Sequence, residues 1–398
     1  MKSAFDGIRV LELGHIYAGP YCGLLLAQLG ADVIKLEPPG GERLRYRSLG
    51  TVETHEFLML NSNKRSVVVD IKDGGGREVF LDLIDTVDVV IENYAPGAMA
   101  KFGLDPEDLM RRNPRLVYAT GKGYGLAGPY AHMAAMDITV QAISGTISST
   151  GMPDGPPVKA GPAFIDFGTG AHLFGGIAAA LFQRERTGRG QLVDVAMHDI
   201  VYPTLASAFG GIYNEPGREL PERTGNRHSG LAIAPYNVYP AADGWVAIIS
   251  VAERHVTGVG RAMGRPGLAE DPRYADRFVR LQNIDVLDAE IEEWTRTLGR
   301  WDVVRALQEE GVPCAPVLTV REVAEDPHLR SRGMIRDVEH PVKGTVPVPG
   351  NPIHLADSDA GELTIAPPLG RHTDEVLGGV CGYPPERVAE LRAAKAVE

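Results

Sequence analysis

Ile8-Arg9-Val10-Leu11-Glu12-Leu13, the loop Gly14-His15-Ile16-Tyr17-Ala18-Gly19-Pro20, and Asp32-Val33-Ile34-Lys35-Leu36-Glu37 form the stretch that decides the fold. The first run is short, apolar and β-like. Pro20 suits the first turn of a helix, where its missing N–H would have no partner anyway. Leu24, Leu25, Ala27 and Gln28 continue that helix, and Gly30 suits its C-terminal cap. The third run is again β-like. Strand, helix and strand within about 30 residues imply parallel strands joined by a right-handed crossover.

The pattern repeats downstream. Ser66–Asp70, Val87–Glu92 and Leu116–Thr120 read as strands, the second rich in β-branched residues. Gly76–Leu83 and Leu104–Asn113 between them read as helices. This alternation predicts an α/β fold with a doubly wound parallel sheet. Phe174, Ile177, Ala178, Leu181 and Phe182 share one face at helical spacing, which predicts a longer helix from Phe174 to Arg186. Asp166-Phe167-Gly168-Thr169-Gly170 leads into it.

Beyond Leu205 the rhythm changes. Residues 208–230 are rich in Gly, Arg, Glu and Pro and read as connecting chain. Pro235–Pro240 and Gly244–Ile249 predict two strands joined by a turn at Ala241–Gly244. Helical patterns follow at Asp285–Thr297 and Trp301–Glu310. These elements predict a smaller α+β domain over 228–325. Pro-rich chain at 341–368 then leads to a last helix near Pro385–Ala396.

A chain of 398 residues is too long for one ordinary compact core, so two domains are expected. Lys and Arg total 40 against 52 Asp and Glu, a formal charge of −12. Such an acidic chain is a poor partner for nucleic acid, which is bound through basic surface. No run of about 18 consecutive apolar residues occurs, so no membrane span is expected. Met1–Asp6 is short and polar and lacks the form of a signal peptide. Cys22, Cys314 and Cys381 are far apart and form no Cys-x-x-Cys pair. They read as three buried thiols in a reducing cytoplasm.

The nucleotide motifs fail in detail. Gly14 and Gly19 do not complete the Gly-x-Gly-x-x-Gly of a dinucleotide loop. Gly121-Lys122-Gly123 resembles a phosphate loop, but Leu116 stands where the first glycine belongs and Gly123 where Ser or Thr belongs. No histidine pattern suits a metal, and no Gly-x-Ser-x-Gly elbow exists. Asp166 is the candidate that remains. Its plain reading is an N-cap before a helix. Apolar Phe164, Ile165 and Phe167 suggest partial burial. Gly168 and Gly170 would let a ligand approach, with free N–H groups at a helix start.

Several motifs fall in a familiar order. They are Gly30-Ala31-Asp32-Val33-Ile34-Lys35, Leu60-Asn61-Ser62-Asn63-Lys64-Arg65-Ser66, Glu92-Asn93-Tyr94-Ala95-Pro96-Gly97 and Asn113-Pro114-Arg115-Leu116. Arg186-Thr187-Gly188-Arg189-Gly190-Gln191 and Gly311-Val312-Pro313-Cys314-Ala315-Pro316-Val317 complete the set. Through them the chain resembles, over essentially its whole length, the family III coenzyme A transferases. These include formyl-CoA transferase, carnitine CoA-transferase and related acyl-CoA racemases. The resemblance implies a Rossmann-like large domain built from both chain ends, residues 1–205 and 326–398, with a linker at 206–227 and a small domain at 228–325. It also implies a homodimer of interlocked subunits.

The resemblance places Asp166 on the family's nucleophilic aspartate. Ile16 and Tyr17 fall in the loop bordering the reacting thioester. Asn93, Tyr94 and Lys122 fall on positions associated with binding CoA, and Asp137 joins them as a substrate-binding candidate. Lys122 and Arg45 are candidates to neutralise its phosphates. The substrates implied are an acyl-CoA and a carboxylic acid, with no separate cofactor and no metal. The implied route runs through an aspartyl anhydride and an aspartyl-CoA thioester. The rival is an acyl-CoA α-racemase, or a CoA-binding protein without catalysis. Racemases use a His-Asp pair where Met136-Asp137 stands here, and methionine cannot exchange a proton. Formyl-CoA transferase has glutamine at the place of Tyr17 and a glycine run at the place of Gly225-Asn226-Arg227-His228-Ser229-Gly230. Those departures weaken an oxalate or formate assignment. They suggest a larger acid, such as a C4–C5 dicarboxylate or hydroxy acid, with Arg227 or His228 near its second carboxylate.

Overall fold

The apolar runs predicted as strands lie side by side in one parallel sheet. The computed structural model describes residues 2–46, 53–214, 217, 219, 221–359 and 361–398. Its main strands are β1 (Arg9–Glu12), β2 (Asp32–Glu37), β3 (Lys64–Val68), β4 (Val89–Glu92), β5 (Val117–Lys122) and β6 (Leu192–Ala196). They pair in the order β3-β2-β1-β4-β5-β6, every neighbour parallel. The first eight helices are α1 (Ala18–Gln28), α2 (His55–Asn61), α3 (Gly74–Ile84), α4 (Ala98–Lys101), α5 (Pro106–Arg112), α6 (Asp137–Ile143), α7 (Thr146–Ser149) and α8 (Phe164–Thr187).

The pleat sends neighbouring side chains to opposite faces. Leu11, Ile34, Val67 and Val90 pack with Val79, Phe80 and Leu83 of α3. Val10, Val33, Val89 and Val117 pack on the other face with Cys22 and Leu26 of α1 and Leu173 and Ile177 of α8. With helices on both faces the strands carry almost no polar alternation, as a buried parallel sheet requires. The order of strands reverses between β1 and β4. Such a point leaves a crevice at the carboxyl ends of the strands, where ligands bind in open α/β sheets.

The chain divides into two units. The first holds Met1–Val140, Pro162–Val201 and Asp326–Glu398, and the second holds Gln141–Gly161 and Tyr202–Glu325. In the second unit β7 (Tyr236–Ala241), β8 (Gly244–Ile249) and β9 (Cys314–Pro316) form an antiparallel sheet. Ile284–Thr295 and Arg300–Glu309 pack on it through Leu287, Ile291, Val303 and Leu307.

Four expectations change. The strand β6 was not foreseen, because one of its faces is largely exposed and Asp194 interrupts it. Residues 206–214, read as connecting chain, form a helix. β10 (Ile335–His340), just before the Pro-rich stretch, pairs with β11 (Gly344–Pro349) inside it as a hairpin. A two-stranded ribbon tolerates proline because each strand keeps one free edge. Finally, α8 starts at Phe164, ten residues before the predicted start. By length and composition α8 could cross a membrane. Here it packs on β5, β6 and α1 instead.

Two glycines in α8 show what its packing demands. A Cβ at Gly170 would lie 2.6 Å from the Ala18 carbonyl oxygen, whereas a Cβ at Gly175 meets nothing within 4 Å. Gly170→Ala should therefore destabilise the protein by about 1–3 kcal/mol through overpacking. Gly175→Ala should stabilise it by about 0.5–1 kcal/mol, since alanine is the better helix former. Thermal unfolding midpoints that move in opposite directions would bear this out.

Candidate active site

At the reversal point β1 ends on Glu12 and β4 ends on Glu92. The segments that follow are tied together by one side chain. Asn93 Oδ1 accepts the His15 N–H at 2.7 Å, and Asn93 Nδ2 donates to the His15 carbonyl at 3.0 Å. Next to it Ile16 has φ +65°. A β-branched residue rarely adopts that conformation. Its N–H donates to Glu42 Oε2 at 3.2 Å, which helps to hold it there. A cleft of about 800 Å³ opens at this point, lined by His15, Ile16, Asn93, Tyr94, Lys122 and Asp166 among others.

Asp166 is not a cap. The N-cap of α8 is Ala163, and Asp166 sits in the first turn. The capping carboxylate belongs to Asp137, whose Oδ2 accepts from the N–H groups of Ile165 at 3.1 Å and Asp166 at 3.3 Å. The Asp166 carboxylate makes no hydrogen bond among the described residues. Burial disfavours its ionised form, the nearby charge of Asp137 adds to this, and together they push its pKa up to about 7. Gly168 and Gly170 lie inside the helix, where N–H groups go to carbonyls four residues back. They offer no free donors. Gly170 serves the contact with α1, and a Cβ at Gly168 would meet Ile200 at 2.8 Å.

The other sequence candidates divide. Ile16, Asn93, Tyr94 and Lys122 line the same cleft as Asp166, and Asp137 stands behind it as the cap. Tyr17 does not line it. Its ring stacks on Phe167, with centroids 5.6 Å apart. Lys122 lacks a free charge: its Nζ lies 2.7 Å from Glu92 and 2.7 Å from the Tyr94 carbonyl. Arg45 is fully buried and paired with Glu37 through Nε at 2.9 Å and a second nitrogen at 2.5 Å. A buried cation so held is not offered to a phosphate. In the second unit Arg227 is likewise occupied, 2.7 Å from both Asp285 and Asp288. The His228 Nδ1 accepts from the Gly230 N–H at 3.2 Å, and burial lowers its pKa.

Two cations escaped the sequence reading. Arg43 and Lys72 line the cleft, are exposed, and have no ion pair among the described residues. Their signal was positional. Arg43 lies just past the carboxyl end of β2, and Lys72 just past that of β3, the edge at which such sheets bind ligands. Met136 also lines the cleft and is 55% exposed, a thioether where a base would stand in the racemase reading.

The raised pKa of Asp166 bears on stability. The unfolded carboxyl ionises near 3.8 and the folded one near 7. Below both values neither state is charged and nothing is lost. Between them the fold loses stability as pH rises, and above both the loss is constant. Asp166→Asn should therefore stabilise the free protein at about pH 8 by roughly 2–4 kcal/mol, with the gain vanishing near pH 4. Thermal unfolding of both forms across that range is the check.

The family model of CoA-transferase family III matches residues 5–373. A formyl-CoA:oxalate CoA-transferase from Streptomyces coelicolor is 39% identical over 407 residues, 98% of each chain. One from Rhodopseudomonas palustris is 37% identical and covers 100% of this chain and 98% of its own. Among solved structures, a CAIB/BAIF family protein from Brucella suis superposes with a TM-score of 0.83 at 36% identity, covering 96% of this chain and 100% of that one. A hypothetical protein from Mycobacterium tuberculosis gives 0.81 at 32% identity, covering 94% and 98%. Matches of this length in sequence and fold leave one conclusion: the chain belongs to CoA-transferase family III and is a CoA-transferase.

Proposed function

We propose that the protein moves coenzyme A from an acyl-CoA to a carboxylic acid, with Asp166 as the group that becomes acylated. The observation that carries this reading is the state of Asp166. It is a carboxylate without a hydrogen-bond partner among the described residues, on the wall of the cleft, with its pKa pushed up to about 7. A more basic carboxylate is a stronger nucleophile once ionised. Holding it against a thioester removes most of the entropic cost of encounter.

The steps balance as follows. An Asp166 oxygen bonds to the donor carbonyl carbon, the C–S bond breaks, and CoA leaves as thiolate. The product is a mixed anhydride. The thiolate attacks the Asp166 carbonyl and releases the donor acid, leaving an aspartyl-CoA thioester. The acceptor carboxylate attacks that thioester, its C–S bond breaks, and a second anhydride forms with release of CoA thiolate. The thiolate then takes the acceptor acyl carbon and restores Asp166. No oxidant or metal enters. Anhydrides hydrolyse readily, so the cleft must exclude water once filled. Arg43 and Lys72, cations of the cleft without an ion pair among the described residues, are assigned to the CoA phosphates. Asn93 acts here by holding His15.

The relatives named for formyl-CoA and oxalate make those the first substrates to try. The larger dicarboxylate reading loses Arg227 to its two aspartates and keeps His228. A homodimer belongs to the same reading. It is supported by the helix Ala206–Asn214, none of whose residues is buried within the chain. Three unpaired cysteines support a cytoplasmic location.

Incubation with donor acyl-CoA alone, followed by hydroxylamine, should modify one peptide, the one containing Asp166. The rate of modification should rise with pH through about 7 and then level off, because only the ionised carboxylate attacks. Heavy oxygen supplied in the acceptor carboxylate should appear in Asp166. Exchange of CoA with that peptide unmodified and unlabelled would exclude the covalent route. Asp166→Ala should fold and lose transfer.

A second expectation concerns the α-carbon. Met136 has no proton to exchange, so a 2-methylacyl-CoA incubated in deuterated water should gain no α-deuterium. Rapid incorporation without change of acyl group, followed by mass spectrometry, would favour a racemase.

A further inference from the structure

The loop Gly14–Pro20 supplies His15, Ile16 and Ala18 to the cleft that holds Asp166. Beneath it lies a group of charges that the chemistry above does not use. Glu12, Lys35 and Lys64 are 0%, 1% and 4% exposed. Glu12 Oε1 accepts from Lys35 Nζ at 3.2 Å, and Glu12 Oε2 accepts from Lys64 Nζ at 2.7 Å. Each lysine has a further bond to the loop backbone. Lys35 donates to the Gly14 carbonyl at 2.9 Å, where the loop begins. Lys64 donates to the Pro20 carbonyl at 2.8 Å, where it ends, and to Asn61 Oδ1 at 2.9 Å.

We propose that Glu12 is a positioning residue, which through Lys35 and Lys64 pins both ends of the loop bordering Asp166. The proposal rests on the reading that Asp166 is the acylated group. Two ammonium groups this dry need a shared counter-charge, and one carboxylate between them supplies it. The three donors of Lys64 are all used, which fixes its direction as well as its charge. The loop is closed on itself between the two pins. A Cβ on Gly14 would lie 2.7 Å from the Gly19 Cα and 2.7 Å from Glu12 Oε1. Ile16 sits between the two pins at φ +65°, with its N–H on Glu42 Oε2 at 3.2 Å. Burial works against the charge of Glu12, but the two lysines outweigh it and keep its pKa low.

Lys35→Met is the first test, because it frees Gly14 while Glu12 stays paired with Lys64. Lys64→Met and Glu12→Gln extend it. Acylation of Asp166 is followed in single turnover by hydroxylamine capture, using whichever of formyl-CoA, acetyl-CoA and succinyl-CoA modifies the wild type. Binding of CoA itself is measured by calorimetry. A folded variant should acylate about tenfold to a hundredfold more slowly, the size of effect that displaced groups near the chemistry produce. Its affinity for CoA should stay within about threefold. A folded Lys35→Met that acylates at the wild-type rate overturns the proposal. Hydrogen exchange of the free protein decides without any substrate. The His15 and Ile16 amides should exchange slowly in the wild type and faster in a folded variant. Fast exchange in the wild type would end the proposal even if every variant failed to fold. If no donor modifies the wild type, it is the acylation of Asp166 that falls, and the exchange data still judge the clamp.

Discussion

The first turn of α1 and the second turn of α8 meet closely at Ala18 and Gly170, and the site depends on that contact. With only hydrogen at Gly170, the helix that carries Asp166 can lie against the helix that follows β1. Asp166 comes from neither strand end. It reaches the cleft because α8, the helix between β5 and β6, begins there. A bulkier residue at Gly170 would hold Asp166 away from the loop that borders the cleft.

Charge in this unit is arranged by a simple constraint. An ion removed from water must be paired, and once paired it is no longer available to a ligand. Lys122 with Glu92 and Arg45 with Glu37 satisfy the rule inside the first unit, as Arg227 with two aspartates does in the second. Arg43 and Lys72 escape it because they stay in contact with water. Asp166 meets the same constraint differently. It is partly buried without a cation, so it responds by holding its proton to higher pH. Asp137 contributes twice, since its carboxylate caps the helix and its charge adds to the shift on Asp166.

Much of the fold was legible in the residues themselves. Runs such as Val33-Ile34-Lys35-Leu36 and Val89-Val90-Ile91 are short, apolar and β-branched, and they became strands. The helix at Pro20 and its glycine cap followed from local backbone chemistry, which does not wait for the rest of the chain. Elements with weak local signals were missed. The strand β6 presents a half-exposed face, and the hairpin Ile335–Pro349 carries prolines that read as loop. The start of α8 was missed because Gly168 and Gly170 argue locally against a helix. Packing against α1 and the cap from Asp137 prevail over that preference.

The sequence by itself determined the order of the first five strands along the chain, the membership of the family and the choice of Asp166 as a candidate. All three rest on local pattern or on ordered motifs, which survive without coordinates. Only the tertiary structure decided what each charged side chain is free to do. Lys122 and Arg43 look alike as letters, yet one is locked to Glu92 and the other faces the cleft. The same holds for Asp166 and Asp137, a pair separated by 28 intervening residues in the chain and joined at one helix terminus. Freedom of a charge depends on burial and on partners distant in sequence, and those exist only once the chain has folded.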